Sequence, residues 1–253
     1  MIYDLQKAGM WKRISAWLFD MILLAVVAAL FGYLISTAVN YDGYAAKLND
    51  RYSVYEAEYG VNLHMSSADY EGLSEEEKLN AENAYHALSM DDEAVYAYGM
   101  MTQLTLIITT FGILLAFIVM EFTIPMAFGN GQTLGKKIFG IALMTKEGVR
   151  VYGKTLFART ILGKFAVETM IPVYIVIMIF FGTIGILGPL ILAALLLVQA
   201  VMLISTSAHS AIHDAIASTV AVDFGSQMIF DTREELIEYK NMIHAQKVQE
   251  SAY

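Results

Sequence analysis

The sequence contains no cysteine, and this absence excludes several kinds of chemistry at once. A chain without cysteine has no disulfides, no thiolate metal site and no cysteine nucleophile, and it leaves the redox compartment open. Charge is also scarce, since Asp, Glu, Lys and Arg make up 16% of the 253 residues while hydrophobic residues make up 57%. Soluble chains have about 25% charged residues, so this composition favours a membrane protein if the apolar residues lie in long runs.

Basic residues are fewer than acidic ones, which gives a formal net charge of −9. Because nucleic acid binding needs a basic surface, nucleic acid is not an expected partner. The deficit lies in one segment: residues 40–100 contain 13 Asp and Glu against 3 Lys and Arg, whereas the rest of the chain is nearly balanced. We call residues 40–100 the acidic segment.

Common catalytic motifs are also absent from the sequence. It has no G-x-S-x-G, no H-E-x-x-H and no nucleotide-binding loop, so we expect no enzymatic activity, no cofactor and no metal. His209 and His213 have the four-residue spacing of some metal sites, with Asp214 nearby, but a third strong ligand is missing. A histidine that caps helix-end carbonyls is the favoured interpretation.

Long apolar runs predict membrane-spanning helices, because about 20 such residues cross the hydrocarbon layer. Residues 14–39 form the first run, with Asp20 as its single charge, and residues 101–120 form the second. An N-terminal signal peptide is the alternative for the first run, but its apolar core is usually only about 7–15 residues long.

The third apolar run, residues 170–204, has no charge and is too long for one straight crossing. Gly182, Gly185 and Pro189 interrupt it. Glycine and proline commonly mark turns, so we predict two helices at about 164–182 and 187–207 and four spans in total.

Loop charges predict the orientation of the spans. Lysine and arginine are frequent in residues 1–13 and 121–164, and such segments stay in the cytoplasm. With four spans, residues 208–253 also lie inside and the acidic segment lies outside. This orientation predicts a multi-pass membrane protein with both termini inside.

The acidic segment has helical signals. Ser74 and Glu77 have the spacing of a capping box, and Tyr52, Tyr55 and Tyr59 are spaced along one helical face. One interpretation is a pair of solvated helices that extend the spans. The other is a lid or a surface that binds a protein partner.

The loop after the second span combines a basic stretch with a hairpin signal. Lys136 and Lys137 suit an interfacial helix that contacts lipid phosphate. Residues 141–145 and 149–152 flank a turn with Gly148, which predicts a β-hairpin that residues 219–222 could extend. We therefore predict an all-α membrane protein of about four transmembrane helices, an acidic helical extracytoplasmic insertion and a small cytoplasmic β-hairpin. Its predicted divisions are 1–39, 40–100, 101–128, 129–163, 164–207 and 208–253.

Three sequence segments resemble the motifs of the RDD family and follow in the same order. Residues 13–20 match R-x-x-A-x-x-x-D, and residues 131–137 match G-Q-T-L-G-K followed by Lys or Arg. Residues 213–222 resemble H-D-x-x-A-G-T-x-V-V, with Ser218 where the family usually has glycine. The acidic segment is also longer than the family's usual first loop.

This resemblance implies a multi-pass bacterial membrane protein of poorly defined function, for which transport of a small ligand or cation/proton exchange has been proposed. The family's arginine and two aspartates correspond to Arg13, Asp20 and Asp214. Four spans are few for a transporter, so a homo-oligomer within the lipid bilayer would build the path. The alternative is a non-catalytic membrane scaffold or interaction partner.

The energetics of buried charge suggest roles for these residues. Asp20 lies within the membrane, where an ionised carboxylate is costly and needs a partner. We expect Arg13 and Asp214 to tie the ends of the first and fourth spans together. Asp20 would face the bundle interior, with Arg159 or Lys164 as partner.

Two interpretations of these polar residues stay open. In the structural one, they hold helices together and set the topology. In the functional one, Asp20 binds a cation or relays a proton with help from Glu121 or Glu168, and His213 is a secondary polar candidate.

Overall fold

The computed structural model describes residues 5–205 and 210–251, and within them the chain is mainly helical. Four helices of this part are long and apolar enough to cross a membrane, and many of their apolar side chains are exposed, as expected beside lipid. They are span 1, Met10–Ala38; span 2, Asp92–Phe128; span 3, Gly153–Phe180; and span 4, Leu187–Ser205. The predicted fold class is therefore confirmed.

The division of the long apolar run is also as predicted. Span 3 ends at Phe180 and span 4 begins at Leu187. Between them, Gly182 and Gly185 adopt positive φ angles of 68° and 54°, which glycine reaches at no steric cost. The helix of span 3 extends further toward the N-terminus than the predicted start at residue 164.

Spans 2 and 3 each contain a π-helical segment, at Ile118–Thr123 and Ala158–Met170. Hydrogen bonds in a π-helix join residues five apart, and such segments are frequent at functional sites. The hydroxyl of Thr160 donates to the backbone carbonyl of Glu121 at 2.9 Å, so the two π segments are bonded to each other.

The chain forms two compact units. One comprises Ala29–Gly112 and contains the whole acidic segment; the other comprises the parts of the chain before and after it. Helices other than the spans are Tyr41–Tyr59, Ser67–Glu71 and Glu75–Ser89 in the former unit, and Leu134–Ile138, Ile212–Ala217 and Arg233–Ser251 in the latter.

The helical character predicted for the acidic segment is confirmed. The backbone N–H of Ser74 donates to the Glu77 carboxylate at 2.8 Å, and the Ser74 hydroxyl accepts from the Glu77 N–H, which completes the predicted capping box. Leu63, Ala84 and Leu88 form a small core in this unit. The three tyrosines at helical spacing pack against it: Tyr52, Tyr55 and Tyr59.

A two-stranded antiparallel sheet lies in the unit that contains both termini. Strand β1, Ile141–Thr145, pairs with β2, Thr219–Asp223. The predicted small sheet is thus confirmed, but its strand pairing differs from the prediction. Residues 219–223, expected only to extend a hairpin, form the strand that pairs with β1 along its whole length. From the segment 149–152, Val149 and Arg150 form only isolated bridges, with Phe230 and Met144 respectively.

Ser218 connects the helix Ile212–Ala217 to β2 in a left-handed conformation, with φ 53° and ψ 42°. Residues with a Cβ adopt this conformation at a cost of about 1–2 kcal/mol, which glycine avoids. The backbone geometry therefore explains why glycine is the usual residue at this position of the motif.

Replacing Ser218 by glycine should stabilise the protein. We expect Ser218→Gly to raise the free energy of unfolding by about 1 kcal/mol, since relief of strain outweighs the greater freedom of glycine in the unfolded chain. Denaturant unfolding in detergent measures the change. Ser218→Val should lower the same quantity, and a glycine variant less stable than wild type would contradict the assignment of strain.

Candidate functional site

The first and second motif segments meet at Asp20. This residue lies on span 1 and is 7% exposed. Its carboxylate accepts hydrogen bonds from the hydroxyl of Thr133 and, at 2.8 Å, from the backbone N–H of Gly135. Neutral donors therefore hold the buried carboxylate.

Gly135 is required by this close approach. A Cβ at this position would collide with the backbone carbonyl of Ala16 and lie 2.9 Å from Cγ of Asp20. Ala16 is itself buried, at 1% exposure. The small residues of the two motifs thus let the loop reach span 1 closely enough to bond Asp20.

Lys136 differs from its predicted role as a lipid contact. It is 9% exposed, and its ammonium donates to the Thr133 hydroxyl at 3.2 Å. Its side chain is turned inward because Thr133 begins the short helix and accepts from both the backbone N–H and the ammonium of Lys136. Lys137 is exposed, with its ammonium 3.7 Å from the ring centre of Phe128, and its contact with lipid phosphate stays a prediction.

Glu121 forms the second buried contact. Its carboxylate pairs with the ammonium of Lys164 at 2.7 Å, and the two side chains are only 6% and 13% exposed. The charge of Lys136 also acts on Glu121, so this pair is an electrostatic neighbour of the Asp20 site.

The third motif segment supplies the most deeply buried ion pair. Asp214 accepts from Nε of Arg159 at 3.0 Å, and the two side chains are 2% and 3% exposed. Asp214 also accepts from the hydroxyl of Thr219 at 2.8 Å. Burial alone would raise the pKa of Asp214, but the attraction of Arg159, with His213 and Thr219, holds that pKa well below its usual range. The carboxylate is therefore ionised at neutral pH.

Asp20 does not pair with Arg159 or Lys164, the two partners predicted for it. Arg159 pairs with Asp214 and Lys164 with Glu121, while Asp20 has the hydroxyl and amide donors. Arg13 is half-buried on span 1, and the charge of Asp214 acts on it. Arg159 makes an ion pair with Asp214, and the predicted tie between Arg13 and Asp214 stays a prediction.

Glu168 and His213 complete the site. Nδ1 of His213 lies 2.7 Å from the Glu168 carboxylate, which also accepts the backbone N–H of His213 at 2.9 Å. Burial lowers the pKa of His213, and the positive charge of Arg159 lowers it further. The ring is therefore neutral at pH 7 and can donate from Nδ1. Gly163 permits this packing, because a Cβ there would lie 2.6 Å from Cβ of His213.

Eight ionisable side chains thus gather in one unit of the protein, and we call them the buried polar cluster. Its members are Asp20, Glu121, Lys136, Arg159, Lys164, Glu168, His213 and Asp214.

Comparison with known protein families agrees with this convergence of motifs. The model of the RDD family matches residues 7–218, which is most of the chain. The protein belongs to the RDD family. No curated protein and no solved structure matches the chain. The matched region contains every member of the buried polar cluster, whereas the tail helix Arg233–Ser251 lies beyond it.

Several residues that build this RDD-family site were not predicted from the sequence. Thr133, Gly135 and Thr219 lie inside the motif segments, so their position in a motif was the available signal. Gly163 had no such signal, because its role depends on the helix that packs against it.

The expectation that this RDD-family protein binds no metal stays a prediction. Among residues 5–205 and 210–251, no three His, Asp or Glu side chains are arranged to hold a metal ion. His209 lies outside the described residues, so the spacing of His209 and His213 has no structural counterpart to report.

Lys136 gives the cluster a group that exchanges a proton near neutral pH. Burial lowers its pKa from 10.5 to about 7, with further lowering by the charge of Lys164 and opposition from Glu121. The cluster can therefore change its net charge within the physiological pH range.

This shift predicts a pH-dependent stability. Between pH 7 and 10.5 the folded protein keeps Lys136 neutral, whereas the unfolded chain keeps it protonated. The unfolded state then binds more protons, so stability rises with pH across this window, by at most about 1.4 kcal/mol per pH unit. Denaturant unfolding at a series of pH values should show this rise in wild type and in Lys137→Met, but not in Lys136→Met. An equal slope in all three proteins would contradict the shifted pKa.

Proposed function

We propose that this RDD-family protein moves protons across a membrane, in exchange for a small cation, and that the buried polar cluster is its proton-binding site. The observation that carries the proposal is the buried Lys136, whose pKa near 7 allows proton exchange at physiological pH. The carboxylates of Asp20 and Glu121 act electrostatically on the same ammonium. Asp20 and Glu121 lie on spans 1 and 2, and ionisable groups within membrane-spanning segments commonly mark proton and ion pathways.

The charge distribution supports an orientation for this activity. Basic residues lie just before and at the start of span 1, at Lys7, Lys12 and Arg13, and between spans 2 and 3, at Lys136, Lys137, Lys146 and Arg150. By the positive-inside rule, both chain ends and residues 129–152 face the cytoplasm and the acidic segment faces outward. A bacterial cytoplasmic membrane, with several copies of the chain forming the path, is the setting that we propose.

The cluster accounts for the proton step in the following way. Lys136 is protonated when a proton arrives, and its ammonium is then stabilised by the attraction of Glu121 and Asp20. When Lys136 loses its proton, Glu121 and Asp20 lose the attraction of its positive charge. A small cation that binds near them then restores that attraction. Lys164 stays paired with Glu121, and Arg159 with Asp214.

Proton flux in proteoliposomes tests the proposal. With a pH-sensitive dye inside and an imposed gradient of Na⁺ or K⁺, wild type and Lys137→Met should acidify or alkalise the lumen, and Lys136→Met should not. Lys136→Arg keeps the positive charge but cannot release a proton, so it should also be inactive.

Two results would overturn the proposal. One is wild-type flux from Lys136→Met, and the other is the absence of flux from folded wild type under both gradients. Circular dichroism and thermal unfolding in the same lipid confirm that each variant is folded.

A non-catalytic membrane scaffold is the second candidate. It is favoured by the bonding of the four acids: Asp20, Glu121, Glu168 and Asp214 each accept from a donor of the chain itself. In that case, the cluster holds the spans together and the acidic segment binds a protein partner. Folded protein without flux would favour this function.

A further inference from the structure

A groove of about 490 Å³ opens outside the buried polar cluster. The turn after β1, the end of the helix Ile212–Ala217 and the first residue of the tail helix line it, and all belong to the same unit. Its size falls within the range of sites for small molecules, about 300–1,000 Å³.

The groove is positively charged, although the chain has a net charge of −9. Lys146, Arg150 and Arg233 line it, together with a single acid, Glu147. Cations gathered in a groove of an acidic protein produce a local positive potential, which attracts an anion.

The three cations are not equally available. Arg150 is held in place, since it donates to the carbonyl of Gly129 and, at 2.9 Å, to the carboxylate of Asp231. Arg233 is 70% exposed and only 3.8 Å from Glu147, which is a loose contact. Lys146 is exposed and has no ion-pair partner among the described residues. Two exposed charges therefore line the groove beside one that is held in place.

Hydroxyl groups supplement these charges. Thr145, Thr155 and Ser218 also line the groove. Backbone bonds hold its walls together: the N–H of Lys146 donates to the carbonyl of Ser218 at 2.9 Å, and the N–H of Thr145 donates to the carbonyl of Val149 at 2.8 Å. Charged donors with neighbouring hydroxyls are the groups that recognise phosphate oxygens.

We propose that this groove binds a phosphomonoester group. Lys146 and Arg233 supply the two charges that match a dianion, Arg150 forms the fixed wall, and Thr145, Thr155 and Ser218 donate hydrogen bonds to the remaining oxygens. The same phosphate chemistry occurs on a soluble molecule and on a lipid headgroup. The experiment distinguishes the two sources.

Binding of two probes to the full-length protein in an uncharged detergent tests the proposal. Inorganic phosphate, followed by calorimetry, represents the soluble source. Phosphatidic acid, followed by native mass spectrometry against phosphatidylcholine, represents the lipid source. We expect Lys146→Gln/Arg233→Gln to weaken binding of the recognised probe roughly tenfold or more, as expected for loss of two charge-assisted contacts. Lys47→Gln/Lys247→Gln removes the same charge from exposed positions outside the groove and should leave binding within about twofold of wild type.

A second pair of variants tests the groove without removing a cation. Ser218→Asp places a negative charge on the wall and should abolish binding of either probe, whereas Ser218→Asn has the same size without the charge and should retain it. Both residues tolerate the left-handed conformation of this position.

Binding of inorganic phosphate that depends on Lys146 and Arg233 supports a soluble ligand, and binding of phosphatidic acid with the same dependence supports a lipid ligand. Three results would overturn the proposal. The first is that folded wild type binds neither probe. The second is that the groove double variant and the control double variant lose affinity equally. The third is that Ser218→Asp binds as tightly as wild type.

Discussion

The ion pair between Arg159 and Asp214 is the interaction on which the unit that contains it depends. Two charges that are removed from water cost several kcal/mol each unless they are paired and hydrogen-bonded, and here Thr219 supplies the additional bond. Arg159 belongs to span 3, whereas Asp214 follows span 4. The pair therefore fixes where the chain lies after its last span, and β2 begins at Thr219 as a consequence.

The other contacts of the cluster follow the same principle with different donors. Asp20 is held by a hydroxyl and an amide, Glu121 by Lys164, and Glu168 by His213. Close packing at Gly135 and Gly163 brings these donors within reach. Lys136 differs from the rest, because burial leaves it able to lose its proton near neutral pH. The same cluster thus holds the fold together and offers one exchangeable proton.

The parts of the fold that were predicted from the sequence depend on local or one-dimensional signals. Apolar run length predicts the spans, glycines predict the break between Phe180 and Leu187, and residue spacing predicts the capping box at Ser74. Charge pairing was not predictable in this way. Lys136 and Lys137 are neighbours with the same chemistry, and only the packing of their short helix turns one inward. Likewise, the π segment of span 3 changes which of its residues face Asp214 and Glu121, so Arg159 and Lys164 could not be assigned to their acids.

A double-mutant cycle on Arg159 and Asp214 tests the central claim most directly. Arg159→Gln and Asp214→Asn should each lower the free energy of unfolding by about 3 kcal/mol, because each leaves a buried charge unpaired. The double variant should lose at least about 2 kcal/mol less than the sum of the two. The same cycle on the exposed pair of Lys12 and Asp223 should give a coupling below about 1 kcal/mol. If the loss of unfolding free energy in the double variant equals the sum of the two single losses to within about 0.5 kcal/mol, the account is contradicted.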